Sequence, residues 1–214
     1  MERFAYRAYI KKDCKSKIVA LIKEYRESVK KFVDRGLLYT ASVFRLDRDL
    51  FFYYECADKI IMPSEILVEI EPYLEEWPGE PQNRHWIRMM DIYHSLDAEM
   101  LKNFRSIEPI KRTTVRVGRF KPEMLSSYIF YHYQYQEEKP GDFSKWCAIY
   151  LHENMAIIYG EAPDCAVPMP ENKKLYTNNT PGNWGEVMYP HFQLWEGTHE
   201  DEKLWKKSET IWFI

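Results

Sequence analysis

Tyr128 and His132 stand four residues apart in Leu125-Ser-Ser-Tyr-Ile-Phe-Tyr-His-Tyr133. On a helix that spacing stacks both on one face, one turn apart, on a stripe with Leu125 and Ile129, so both point inward. An imidazole titrates near neutral pH and can give or take a proton there. A phenol one turn earlier can bond its ring nitrogen or a bound molecule. The same pattern also describes a core histidine satisfied by a backbone carbonyl. Trp184, preceded by Asn183, offers a flat apolar plate for a ring-shaped ligand, or ordinary packing of helix on sheet. Glu161 and Asp164 close an apolar run that carries Tyr159, and they either bind hydroxyls or cap the turn that follows. Arg116 lies in an earlier strand-like run. If it points inward it needs a partner, and Glu161 is the natural one, as Glu55 is for Arg7. His191, in Tyr189-Pro-His-Phe, is either a second acid or a loop residue.

The elements that position these residues occur twice. Ala41–Glu55 and Cys147–Glu161 share one pattern, two apolar runs around a polar centre, ending in Glu-x-x-Asp. Each reads as a β-hairpin, with Tyr53 matching Tyr159. Upstream, Phe4–Lys12 matches Thr113–Lys121 through Arg7/Arg116 and Lys12/Lys121. Downstream, Trp86-x-x-x-Met90 matches Trp184-x-x-x-Met188. A repeat in this order decides the fold before any single residue does.

Repeat one reads as a strand at 3–11, a helix at 14–35 with Asp13 as N-cap and Gly36 as stop, and a hairpin at 38–56. A short helix at 64–71 ends at Pro72, and another helix carries Trp86, Met89 and Met90. Repeat two reads as a strand at 113–120, a helix at 122–138, a hairpin at 146–162, a Pro- and Asn-rich loop at 163–183, a helix at 184–190 and a strand at 208–214. The expected class is α+β: two ferredoxin-like β-α-β-β-α-β repeats whose sheets pack face to face as one closed α+β barrel. Repeat one spans 1–94, its last strand (around 105–111) and a linker fill 95–112, and repeat two spans 113–214.

Composition narrows the classes. The net charge is −3, the pI is near 6.1 and no basic stripe occurs, so nucleic acid is not an expected partner. Cys14, Cys56, Cys147 and Cys165 show neither C-x-x-C spacing nor a nearby His cluster. That predicts no metal site and no disulfide framework, in keeping with a reducing, cytoplasmic setting. No leader sequence and no long apolar run are evident, so no membrane partner is expected.

Repeat two resembles the L-rhamnose mutarotase family of the dimeric α+β barrels. The likeness rests on Arg116, Tyr128-x-x-x-His132, Ala148-Ile-Tyr-Leu151, Glu161-x-x-Asp164, Trp184-x-x-x-Met188 and the final Ser-Glu-Thr-Ile-Trp-Phe-Ile. It implies a sugar ring closed over by Trp184, with His132 opening and reclosing it by acid–base transfer beside Tyr128. Arg116, Glu161, Tyr159 and Asn183 are the expected binding residues beside them, and no cofactor is expected. The family's first Trp of a pair is Asn183 here, and its Trp-Pro-Glu is Gln136-Glu137-Glu138. In repeat one the His position falls on Lys23, Arg26 or Val29. That half is therefore expected to be catalytically empty, its space filled by Leu21, Tyr25 and Val29. The reading is a mutarotase-like protein acting on a monosaccharide, as a monomer with an internal pseudo-dimer or a weak homodimer. The alternatives are a non-catalytic carbohydrate or small-molecule binder on the same barrel, and a haem- or quinol-oxidising monooxygenase suggested by Asn183-Trp184 with His132.

Overall fold

The computed structural model of the chain describes residues 1–105, 109–141, 144–164, 166–167 and 174–214. Cys165 and part of the expected 163–183 loop lie outside these. In chain order the elements are β1 (Glu2–Tyr9), α1 (Lys15–Asp34), β2 (Leu38–Leu46), β3 (Asp49–Cys56), α2 (Pro63–Ile66), β4 (Ile87–Arg88) and β5 (Met90–His94). They continue with α3 (Ala98–Arg105), β6 (Arg112–Arg119), α4 (Leu125–Glu138), β7 (Ala148–His152), β8 (Met155–Ala162), α5 (Trp184–Met188), β9 (Lys206–Lys207) and β10 (Glu209–Phe213). No described helix is long and apolar enough to cross a membrane.

Two compact units result. Unit 1 holds Met1–Met89 and Ser208–Ile214, and unit 2 holds Met90–Lys207. Unit 1 has one five-stranded sheet in the order β10-β2-β3-β1-β4, and unit 2 has one in the order β5-β7-β8-β6-β9. All pairs are antiparallel. Position for position the two orders are the same. The chain is an α+β protein, a tandem duplication of a ferredoxin-like unit. In each repeat the last strand is divided. Its first two residues, β4 or β9, pair with the repeat's own first strand, and after one residue the chain continues as β5 or β10 on the edge of the other unit's sheet.

Matched backbone bonds fix the repeat register. Ile10 N–H donates to Arg48 O and Phe120 N–H to Asn154 O, both at 2.8 Å. The Lys11 ammonium donates to Pro72 O, and the Lys121 ammonium to Pro190 O, again both at 2.8 Å. Tyr6 faces Arg88 across β1–β4 where Arg116 faces Lys207 across β6–β9. The true partners are therefore Lys11/Lys121 and Tyr6/Arg116. The expected pairing of Arg7 with Arg116 and of Lys12 with Lys121 slips by one residue, and in a strand a one-residue slip puts the side chain on the opposite face. The hairpin match stands: Tyr53 Oη donates to Glu55 at 2.6 Å and Tyr159 Oη to Glu161 at 2.7 Å.

Other expectations are corrected. Residues around Trp86 form no helix but lead into β4 and β5, so Trp86 corresponds to Trp205 rather than Trp184. Arg105, where the last strand of repeat one was expected to begin, instead ends α3, and residues 106–108 of that expected strand lie outside the described residues. Asp97 accepts from the N–H groups of Met100 (2.8 Å) and Leu101 (3.1 Å) and so sets the start of α3, while the last strand of the repeat has already been supplied upstream. Asp13 is not the N-cap of α1, a place taken by Cys14, and Pro72 lies within a 3-10 turn at Val68–Tyr73 rather than ending a helix. Gly36 does end α1. At φ +69° it closes a pair of hydrogen bonds, its own N–H to Val33 O (2.8 Å) and that of Leu37 to Phe32 O (2.9 Å).

The unit 1 core sets Ile18, Ile22 and Val29 of α1 against Phe4, Tyr6, Phe52, Tyr54, Trp86 and Trp212. The Trp212 indole donates to Ile22 O at 2.6 Å.

Candidate functional site

Pro122 opens a 3-10 turn that runs into α4. The Leu125-Tyr128-Ile129-His132 stripe then turns Tyr128 and His132 toward the sheet, where they are 1% and 5% exposed. Trp184, the first residue of α5, lies edge-on to the His132 ring, with centroids 5.0 Å apart, and 4.8 Å from Tyr135. Between these helices and the sheet is a cavity of about 290 Å³ walled by Tyr93, Tyr128, His132, Trp184, Phe192 and Trp205. Its volume is at the lower end for small-molecule pockets. It suits a single ring. Trp205 reaches the wall only because residue 118 is Gly: a Cβ there would stand 2.9 Å from the indole.

The His132 ring is oriented by its own helix. Nδ1 lies 2.9 Å from the Tyr128 carbonyl oxygen, a bond in which only the nitrogen can donate. The proton is thereby on Nδ1, and Nε2 carries the lone pair. Burial lowers the His132 pKa from 6.5 to about 4, with the carbonyl bond opposing and His191 adding to the fall. At neutral pH His132 is thus a neutral acceptor, not the balanced acid and base expected of a histidine near neutrality. Burial also raises the Tyr128 phenol well above its ordinary value, so it stays a neutral hydroxyl. The Cys147 thiol, also on the cavity wall, is pushed up to about 12 by burial and by Asp164.

The structure brings together three of the expected residues: Tyr128, His132 and Trp184. Arg116 is exposed, and Glu161 pairs instead with Arg105, bidentate at 2.6 Å on both oxygens, with the guanidinium 4.2 Å over Trp146. Arg7 pairs with Asp49 at 2.8 Å, and Glu55 accepts from Tyr53 Oη at 2.6 Å. Tyr159 and Glu161 alternate along β8 with Ile158, which lines the cavity, so their side chains leave from the other face. Asn183 is exposed and donates to Glu186 at 2.8 Å. His191 is buried, bonded to Ser127 at 2.8 Å and Met188 O at 3.2 Å.

Tyr93, Phe192, Trp205 and Glu138 were not anticipated. Tyr93 and Trp205 had a signal, since the corrected register aligns Trp86–Tyr93 with Trp205–Trp212. Glu138, the last residue of α4, accepts from Thr177 Oγ1 (2.7 Å), Asn179 N (2.7 Å) and Thr180 N (2.8 Å). These bonds anchor the segment that leads into Trp184. They hold the Glu138 carboxyl down at about 2 against the opposing effect of burial. In unit 1 the residue matching His132 is Ile22, not Lys23, Arg26 or Val29, as counted from Lys11/Lys121. Among the described residues, no three His, Cys, Asp or Glu side chains are grouped to hold a metal ion.

No family model matches the chain, and no curated protein does. Among solved structures, a presumed monooxygenase from Fusobacterium nucleatum subsp. nucleatum is similar over 99% of this chain and 92% of its own, at 10% identity and a TM-score of 0.43. That likeness is too slight to carry an activity across, and the fold assignment rests on the strand order described above.

Proposed function

We propose that unit 2 is a small-molecule-binding module that takes one ring in the cavity walled by Trp184 and His132, with His132 Nε2 accepting a hydrogen bond from a ligand hydroxyl. The observation that carries this reading is the ring-sized aromatic cavity with the His132 tautomer set by the Tyr128 carbonyl. Among the described residues no carboxylate, amide or cationic side chain lines that cavity, and each buried hydroxyl of a ligand needs a partner. The lining therefore favours a ring with few hydroxyls over a fully hydroxylated sugar. The test is titration with phenol and with L-rhamnose, followed by tryptophan fluorescence and saturation-transfer NMR. Phenol binds, and Trp184→Ala weakens it by about tenfold, the scale of one well-stacked aromatic contact. Undiminished binding in that variant refutes the site.

A mutarotase is the second reading, favoured by the convergence of Tyr128, His132 and Trp184 on one cavity. Against it stands a neutral His132 with little capacity to act as the acid. Acceleration of L-rhamnose anomer exchange by the wild type, lost in His132→Ala, would replace the binding-module reading.

A further inference from the structure

Beyond Ile158, the same face of the unit 2 sheet continues as Arg112, Thr114 and Arg116 of β6, lying opposite Ala162, Gly160 and Ile158 of β8. All three β6 residues are exposed. Among the described residues a hollow of about 340 Å³ runs over them, lined also by Ser144 and Asp164. It shares Cys147 and Ile158 with the aromatic cavity, so the two adjoin on one face.

Unit 1 supplies an internal comparison. At the matching positions β1 carries Glu2, Phe4 and Tyr6, opposite Cys56, Tyr54 and Phe52 of β3. There Phe4, Tyr6 and Tyr54 form a buried stack, with centroids 5.4 Å apart for Phe4–Tyr54 and 5.9 Å for Tyr6–Tyr54. In unit 2 the three rings become Thr114, Arg116 and Gly160. A Cβ on Gly160 would touch only Thr114 Oγ1, at 3.5 Å, so the glycine leaves the floor of the hollow open. Removing three buried rings gives up apolar burial, and two exposed guanidiniums return none of it. The replacement makes sense as a binding surface.

Its charge fits one class of group. The Glu161 carboxylate leaves from the opposite face of β8 and is taken up by Arg105. Arg116 reaches only a backbone oxygen, that of Asp201, at 3.5 Å. Among the described residues no carboxylate lies within ion-pair distance of Arg112 or Arg116. Two guanidiniums flanking a hydroxyl match the oxygens of a carboxylate or phosphate. We propose that this hollow is an anion subsite, which takes the carboxylate or phosphate of a ligand whose ring occupies the Trp184–His132 cavity. The proposal rests on the ring-binding reading and extends it to a ligand class, a ring carrying an anionic group.

The test compares phenyl phosphate, benzoate and phenol by calorimetry and tryptophan fluorescence, using wild type and the Arg112→Ala/Arg116→Ala double variant. Both positions are exposed, so circular dichroism and the melting temperature should be unchanged. The anions should bind the wild type about tenfold tighter than phenol at low salt, on the scale of charge-assisted bonds to one group. Added salt should narrow the gap. The double variant should lose the advantage of the anions and keep its affinity for phenol. A gain for phenyl phosphate alone selects phosphate as the anion, and a gain for benzoate as well selects oxyanions in general. Phenol binding with no anion advantage, or an advantage that survives the double substitution, overturns the subsite alone. Failure of all three probes to bind overturns the ring-binding reading with it.

Discussion

At pH 7 the His132 imidazole is already without its second proton, and acid has to force that proton on. The unfolded chain takes it near pH 6.5 and the folded chain only near 4, so between those values the unfolded state binds more protons. The stability this group contributes is complete above pH 6.5 and is lost as pH falls toward 4, about 3 kcal/mol in all. In His132→Ile, which copies Ile22 of the other repeat, that stretch of the acid limb should vanish from urea titrations run across the pH range, with the fold kept. An unchanged pH dependence would mean that the ring is not desolvated. The pairing of Tyr128 with His132 was legible because helical spacing fixes it locally, and Trp184 joined them only through the family resemblance. The places of Arg116 and Arg7 were not. A strand's face depends on an even or odd count, and the repeat match was one residue out. Arg105, the real partner of Glu161, lay in a stretch read as strand and linker.

The C-terminal end of α4 acts as a fastener. Glu138 holds Thr177, Asn179 and Thr180, Leu175 N–H donates to Glu137 O at 2.9 Å, and Asn179 donates to Gln134 at 3.1 Å. The segment so held ends at Trp184, so this corner should govern how well the indole is seated. Glu138→Gln leaves an amide N–H facing the Thr180 N–H donor. It should cost about 1–3 kcal/mol, as for an unsatisfied buried group, and weaken ring binding without touching the cavity wall. Its pH signature is separate from that of His132. A carboxyl lowered from 4.5 to about 2 contributes stability above pH 4.5 that is lost as pH falls toward 2. Only this lower window should flatten in the variant, and flattening of the upper one would show that the two groups are coupled. Nothing in Gln136-Glu137-Glu138 announces this role, because its partners arrive from 39 to 42 residues downstream. The hairpins and α1 were legible, since alternation, apolar stripe and a terminal glycine are local signals.

At the scale of the molecule the duplication was legible and the exchange of edge strands was not. Sequence similarity shows that two segments are alike, but it does not say which sheet each joins. β5 and β10 look alike because both do the same job, each for the other unit. Trp212 fills against Ile22 the place that Tyr93 takes near His132, where its ring lies 6.1 Å away. Trp212→Ala should therefore destabilise the N-terminal unit by about 3–5 kcal/mol, with hydrogen exchange accelerated first in α1 and least in α4. The reverse order would contradict the exchange. Removal of Ser208–Ile214 should do the same more severely, while ring binding in unit 2 persists. The exchange also imposes a timetable on a chain leaving the ribosome. Unit 2 has its upstream edge strand in hand before any other part of it is made, and it can close once Lys207 is out. Unit 1 begins first, must wait through the whole of Met90–Lys207 with one edge bare, and is finished last.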